Sequence, residues 1–164
     1  MNAADPELDV LRRAHDAGVR FLLIGRQACM LYGLPVLSFD YDIWASPEPQ
    51  NLARLVAAAR ESDLTPSIPP ERLGETGFFR LENERHIDVH KVAFFTARDG
   101  TRLTFDEAWA RRVEMRDEPD GLVLPVPSIE DLIVTKLVGG RKKDLEDVKA
   151  LLVVLDLRRQ ESKS

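Results

Sequence analysis

Three aspartates are spaced so that they could hold a divalent cation. Asp40 and Asp42 lie in Ser38-Phe39-Asp40-Tyr41-Asp42-Ile43, and Asp88 lies in His86-Ile87-Asp88-Val89. Alternate residues of a strand share a face, so Ser38, Asp40 and Asp42 point one way and Phe39, Tyr41 and Ile43 the other. The same parity groups His86, Asp88 and His90 opposite Ile87 and Val89. Two carboxylates on a strand otherwise built for burial are costly unless something cationic compensates them. Mg²⁺, or Mn²⁺ in its place, suits hard oxygen ligands, and a few protein carboxylates plus phosphate oxygens complete its shell. Upstream, the apolar run Phe21-Leu22-Leu23-Ile24 ends at Gly25, followed by Arg26 and the apolar Ala28-Cys29-Met30-Leu31-Tyr32. A strand, a glycine turn, a short helix and then metal-binding carboxylates imply phosphoryl-group chemistry rather than binding alone.

An Asp-x-Asp pair is weak by itself. Among fifteen aspartates, roughly one such pair is expected by chance, and a lone pair reads as a solvated strand end. The setting shifts the balance: strand, glycine and helix first, then the pair on a strand, then a third acid on another strand. His86 and His90 have a functional reading, as contacts to phosphate or metal, and a plainer one, as polar residues of a solvent-facing strand face; the plainer one is favoured. Cys29 lies in an apolar segment and reads as a small core residue.

The elements that must position these residues follow from periodicity and turn chemistry. Asp5-Pro6 opens a helix with Leu8, Leu11 and Ala14 on its apolar face. Arg20 to Ile24 reads as a buried strand, and Gly25 turns into a helix that stops by Gly33 and Pro35. Leu37 to Trp44 reads as a strand, and Ser46-Pro47 caps a helix carrying Leu52, Leu55, Val56 and Ala59 inward. The proline-rich residues 64–75 read as a loop. Gly77 to Leu81 and Arg85 to Val92 form two strands around Glu82-Asn83-Glu84. Phe105 to Arg111 is a short helix, and Asp120-Gly121 joins Val113–Met115 to Leu122–Val126 as a hairpin. Ser128 caps a helix ended by Gly139-Gly140, and a last helix carries Leu145, Val148, Leu151, Leu152 and Leu155 inward. This order predicts an α+β, mixed α/β fold: a mixed sheet covered by helices, with helices at the C-terminus.

The 164 residues suffice for one compact domain, placed at 1–157 with a disordered tail at 158–164. Composition is that of a globular protein, with 31% charged and 44% hydrophobic residues. A net charge of -5 argues against non-specific nucleic-acid binding through a global basic field and leaves room for a local basic patch. The single cysteine excludes an intrachain disulfide and fits a reducing compartment. Apolar runs fall short of the roughly 18 residues that span a bilayer, and the N-terminus lacks a signal peptide's basic start and apolar stretch. The expectation is a cytoplasmic protein without membrane association.

These residues resemble the nucleotidyltransferase superfamily, the polymerase-β-like fold, and look most like its small bacterial members related to the abortive-infection type IV toxins and the minimal nucleotidyltransferases. The family pattern is a strand ending in Gly-Gly or Gly-Ser, about a dozen residues, Asp-x-Asp, then a later strand acid. Gly25-Arg26, Asp40-Tyr41-Asp42 and Asp88 correspond to it. The later segments Asp131-Leu132, Lys136, Arg141 and Asp144-Leu145-Glu146-Asp147 match those members' second pattern, and the resemblance covers about residues 8–155. It departs at Arg26, where the family has Gly or Ser, and at Val36, where many relatives have Arg. Ser38 keeps the hydroxyl of a common Thr.

The resemblance implies a Mg²⁺-dependent (or Mn²⁺-dependent) enzyme that moves a nucleoside monophosphate from an NTP to an acceptor hydroxyl. Asp40, Asp42 and Asp88 would be catalytic and metal-binding, and Gly25, Arg26, Ser38 and Lys136 would contact the nucleotide. The acceptor class stays open among RNA, protein and small molecule, and the resemblance also suggests a toxin–antitoxin role with a cognate protein partner. Arg26 either grips phosphate or fills the pocket. Arg26 and the missing arginine at the Val36 position motivate the alternative of a catalytically inactive module of the same fold that acts by partner binding. A metal hydrolase using the same acids is weaker, because the chain lacks histidine clusters at metal-ligand spacing.

Overall fold

The computed structural model describes residues 5–117 and 121–163. Asp5 accepts the Leu8 N–H and Pro6 occupies the first helical turn, so α1 (Pro6–Asp16) starts where the sequence sets it. β1 (Phe21–Ile24) is buried throughout and runs directly into α2 (Gly25–Leu31). β2 (Tyr41–Ala45) is shorter than the expected strand from Leu37 to Trp44. Its pairing with β1 reaches Asp42 and no further. Before that, the Asp40 N–H donates to Ser38 Oγ at 3.1 Å and Gln27 Nε2 donates to the Ser38 carbonyl at 2.7 Å. Side-chain bonds thus replace a ladder here, and Leu37 and Phe39 are left exposed.

α3 (Pro49–Arg60) begins with Pro49 rather than at Ser46-Pro47. Ser46 is buried and its carbonyl accepts from Asn51 Nδ2, so it belongs to the strand end and not to a helix cap. The proline-rich stretch expected to be loop holds a two-residue strand, β3 (Thr65–Pro66), and a 3₁₀ turn over Pro70–Glu75. β4 (Phe78–Glu82) and β5 (His86–His90) form the anticipated hairpin. A second hairpin, β6 (Phe94–Thr96) with β7 (Arg102–Thr104), escaped the sequence reading. α4 (Phe105–Ala110) opens with a Thr104–Glu107 capping box. β8 (Val113–Asp117) pairs with β9 (Leu122–Val126); Asp120 of the predicted turn lies outside the described residues. Ser128 accepts the Asp131 N–H to start α5 (Ile129–Gly139), which ends at Gly140 in the left-handed region. α6 (Lys142–Glu161) continues into the stretch expected to be a tail.

The main sheet has the order β1-β2-β5-β4-β3. β2 and β5 are parallel, and the other pairs are antiparallel, so the sheet is mixed. One face carries Ile43, Ala45, Phe79, Leu81, Ile87 and Val89 into the core. The other carries Asp42, Arg80, His86, Asp88 and His90. α6 departs from expectation in what it buries: Val148 and Leu151 face inward with Asp144 and Asp147, while Leu145 and Leu152 are exposed. None of the described helices is long and apolar enough to cross a membrane.

Trp44 anchors the acid-bearing face one step along β2 from Asp42. It is fully buried, its indole N–H donates to the Val92 carbonyl at 2.8 Å, and the rings of Phe95 and Phe105 lie 4.5 and 5.4 Å away. β6 and α4 are thereby clamped beside the site. Trp44→Ala should cost about 3–5 kcal/mol of stability, measured as a shift in urea midpoint. Trp44→Phe, which keeps the ring but strands the Val92 carbonyl, should cost less.

Candidate active site

The parallel register of β2 and β5 sets Asp42 opposite Asp88. Strand parity therefore does what the sequence predicted for these two: they stand side by side on one sheet face, partly exposed. Asp40 lies one residue before β2 and is exposed. Ser38 sits beside it in the same loop, its hydroxyl engaged with the Asp40 backbone.

Gly25 is required by contact as well as by conformation. Its φ is +69°, and a Cβ there would lie 2.7 Å from Asp42 Oδ2 and 3.2 Å from Asp42 Cβ. The turn from β1 into α2 therefore presses bare backbone against the Asp42 carboxylate. No other residue fits without displacing the acid or straining the chain.

Imidazoles flank both acids, and Asp88 has a guanidinium as well. His90 Nε2 is 3.9 Å from Asp42 Oδ1, and His86 Nε2 is 3.8 Å from Asp88 Oδ1. Arg80, directly across the β4–β5 ladder, donates from Nε to Asp88 Oδ1 at 2.9 Å. Burial lifts the Asp88 pKa above the ordinary carboxylate value, and the charge of Asp42 adds to this, while Arg80 and His86 counter it.

The other resemblance residues sit behind the turn. Lys136 is buried, and its Nζ donates to Asp147 Oδ2 at 2.9 Å and lies 4.0 Å from Asp144 Oδ1. Arg26 also turns toward Asp147, with Nε 3.4 Å from Oδ2. Arg141 donates from Nε to Asp144 Oδ2 at 3.0 Å, yet its side chain is 69% exposed. Asp144 holds the Arg141 guanidinium firmly charged, with a smaller contribution from the charge of Asp42. Burial would raise the Asp144 pKa, but Arg141, through side chain and backbone, and Lys136 outweigh it and hold it low. Cys29 is buried against this group and its thiol is pushed up to about 11, chiefly by desolvation, so it is a core residue. Arg80 was missed by sequence reasoning because its importance comes from ladder register, and no short motif encodes that.

The donor set suits Mg²⁺ or Mn²⁺ in one respect and limits it in another. Adjacent hard carboxylates with one harder to ionise are what a dication would relieve. Among the described residues, however, no three His, Cys, Asp or Glu side chains form a ready-made metal shell. A site that takes one or two carboxylates and completes its shell with water and phosphate oxygens matches this arrangement.

A pH test follows from Asp88. An acid whose folded pKa is raised stabilises the fold below its unfolded value, and that contribution is lost as pH rises through the folded value. Without metal, Asp88→Asn should therefore gain stability relative to wild type as pH climbs from about 3 to 7. Thermal melts across that range check it; a difference that shrinks with pH would contradict it.

The whole fold resembles solved structures. A candidate nucleotidyltransferase of Thermotoga maritima, TM1012, aligns with a TM-score of 0.57 at 20% identity over 91% of this chain and 94% of that one. The lincosamide antibiotic adenylyltransferase LnuA, in its lincomycin-bound form, aligns with a TM-score of 0.61 at 15% identity over 93% of this chain and 98% of that one. Likeness at these identities is one of fold. No curated protein matches the chain. Residues 1–160 match the family described as nucleotidyltransferase of unknown function (DUF6036), and the chain belongs to that family of nucleotidyltransferases.

Proposed function

We propose that this chain transfers a nucleoside monophosphate from an NTP to an acceptor hydroxyl at the sheet face that bears Asp42 and Asp88. The observation that carries the reading is the register-paired acids with Gly25 pressed against one of them. Family membership and the shared fold support nucleotidyl transfer in general. Asp42 and Asp88, with Asp40 from the preceding loop, would hold Mg²⁺ or Mn²⁺, which when bound neutralises charge on the nucleotide phosphates and stabilises the attacking and leaving oxygens.

Asp88, with its raised pKa, is suited to take the proton from the acceptor hydroxyl. The hydroxyl oxygen forms a bond to the α-phosphorus, the bond to the β-phosphate oxygen breaks, and pyrophosphate leaves. Lys136 is occupied by Asp147, so in this reading its role is to hold α5 against α6. Arg141 is the cation on the phosphate side: Asp144 fixes its Nε, and its exposed terminal nitrogens suit a bidentate grip on phosphate. Arg26 leans toward α6, an orientation that favours an open turn over a plugged one. The acceptor is an RNA, a protein or a small molecule; the lincosamide of LnuA is that protein's.

Calorimetry with ATP and Mg²⁺ tests the nucleotide half. Wild type should bind, and Arg141→Ala should weaken binding by about 1.5–3 kcal/mol, the scale of a hydrogen bond to a charged group. Arg26→Ser should change it little. Absence of binding in wild type and Arg26→Ser alike would favour the inactive module that acts by partner binding.

A further inference from the structure

The acids of the site are not equally available. Arg80 stands opposite Asp88 in the β4–β5 register, and its Nε donates to Asp88 Oδ1 at 2.9 Å. His86 Nε2 approaches the same oxygen at 3.8 Å. The core does not need an arginine at this position: the neighbours Phe79 and Leu81 carry β4's inward packing, whereas the Arg80 side chain is 47% exposed. Asp42 is flanked differently, by His90 at 3.9 Å and by the backbone of Gly25.

A guanidinium at hydrogen-bond distance sits where a cation must approach that carboxylate oxygen, and a dication there would repel it. A half-exposed arginine can rotate into solvent, because such an ion pair is weak and readily exchanged for water. We propose that Arg80 is a positioning residue that holds Asp88 in the place of a cation and is displaced when a divalent cation binds. Cation binding is then an exchange. Arg80 fixes the Asp88 side chain on the sheet face before nucleotide arrives and sets how much free metal the site demands. This rests on the reading of Asp42 and Asp88 as cation ligands.

Titration of the full chain with MnCl₂ alone, followed by calorimetry, tests it. Arg80→Ala should bind Mn²⁺ about two- to fivefold tighter than wild type, the strength of the half-exposed pair it removes. Arg80→Lys, which keeps the charge and loses the planar fork, should fall between them. Arg80→Gln is the second neutral variant, and melting curves confirm that each variant is folded. Asp42→Asn should abolish the site in both backgrounds. If wild type binds Mn²⁺ through Asp42 but neither neutral variant binds more tightly, the role of Arg80 is wrong and the cation site stands. If Mn²⁺ binding is absent from wild type and Arg80→Ala, or indifferent to Asp42 in both, the cation site itself falls and this inference with it.

Discussion

The parallel pairing of β2 with β5 is the constraint on which the rest of the molecule turns. It places two carboxylates next to each other on a sheet whose opposite face packs Ile43, Phe79, Leu81, Ile87 and Val89 into the core. Like charges so placed repel, and partial burial makes the cost larger. The surrounding structure answers with a guanidinium on Asp88 and an imidazole near each acid. On the other flank the β1–α2 turn comes so close to Asp42 that a methyl group could not be interposed. A surface built this way is strained in charge but not in packing, which is the condition of a site that gains from binding a cation.

A second charged group, this one buried, holds the helices in place. Lys136 of α5 meets Asp147 and Asp144 of α6, and Arg26 of α2 reaches the same Asp147. Buried ion pairs add little net stability, but removing one member strands the other. Their contribution here is geometric: three helices are registered against one another through directional contacts. One consequence is that Arg141, at the start of α6, is fixed by Asp144 while remaining exposed. Arg98 closes the junction, donating to the Gly139 carbonyl and packing where a side chain on Gly140 would have to go.

Much of this was legible from sequence. Alternation gave the faces of Asp42 and Asp88, because side-chain period in a strand depends on nothing outside it. Caps at Asp5 and Ser128 and the glycine ending β1 were readable because each is a local hydrogen-bonding or conformational rule. The start of β2 was not, since the strand stops where its partners stop, and the Gln27–Ser38 bond that helps replace the ladder joins residues eleven apart. The inward face of α6 was misjudged for a related reason. Periodicity counted Leu145 and Leu152 as core, but the position facing α5 is taken by aspartates that Lys136 neutralises. The same pairing could not be seen in a motif that matches Lys136 to a phosphate-facing position.

We propose that the paired acids perform nucleotidyl transfer. The most direct test incubates the protein with α-labelled NTPs, Mg²⁺ and acceptors that include total tRNA, the protein itself and small hydroxylated compounds. Label is expected on one acceptor class with release of pyrophosphate, and both should be lost in Asp42→Asn. Transfer that persists in Asp42→Asn, or no transfer and no pyrophosphate from wild type with any NTP, would contradict it.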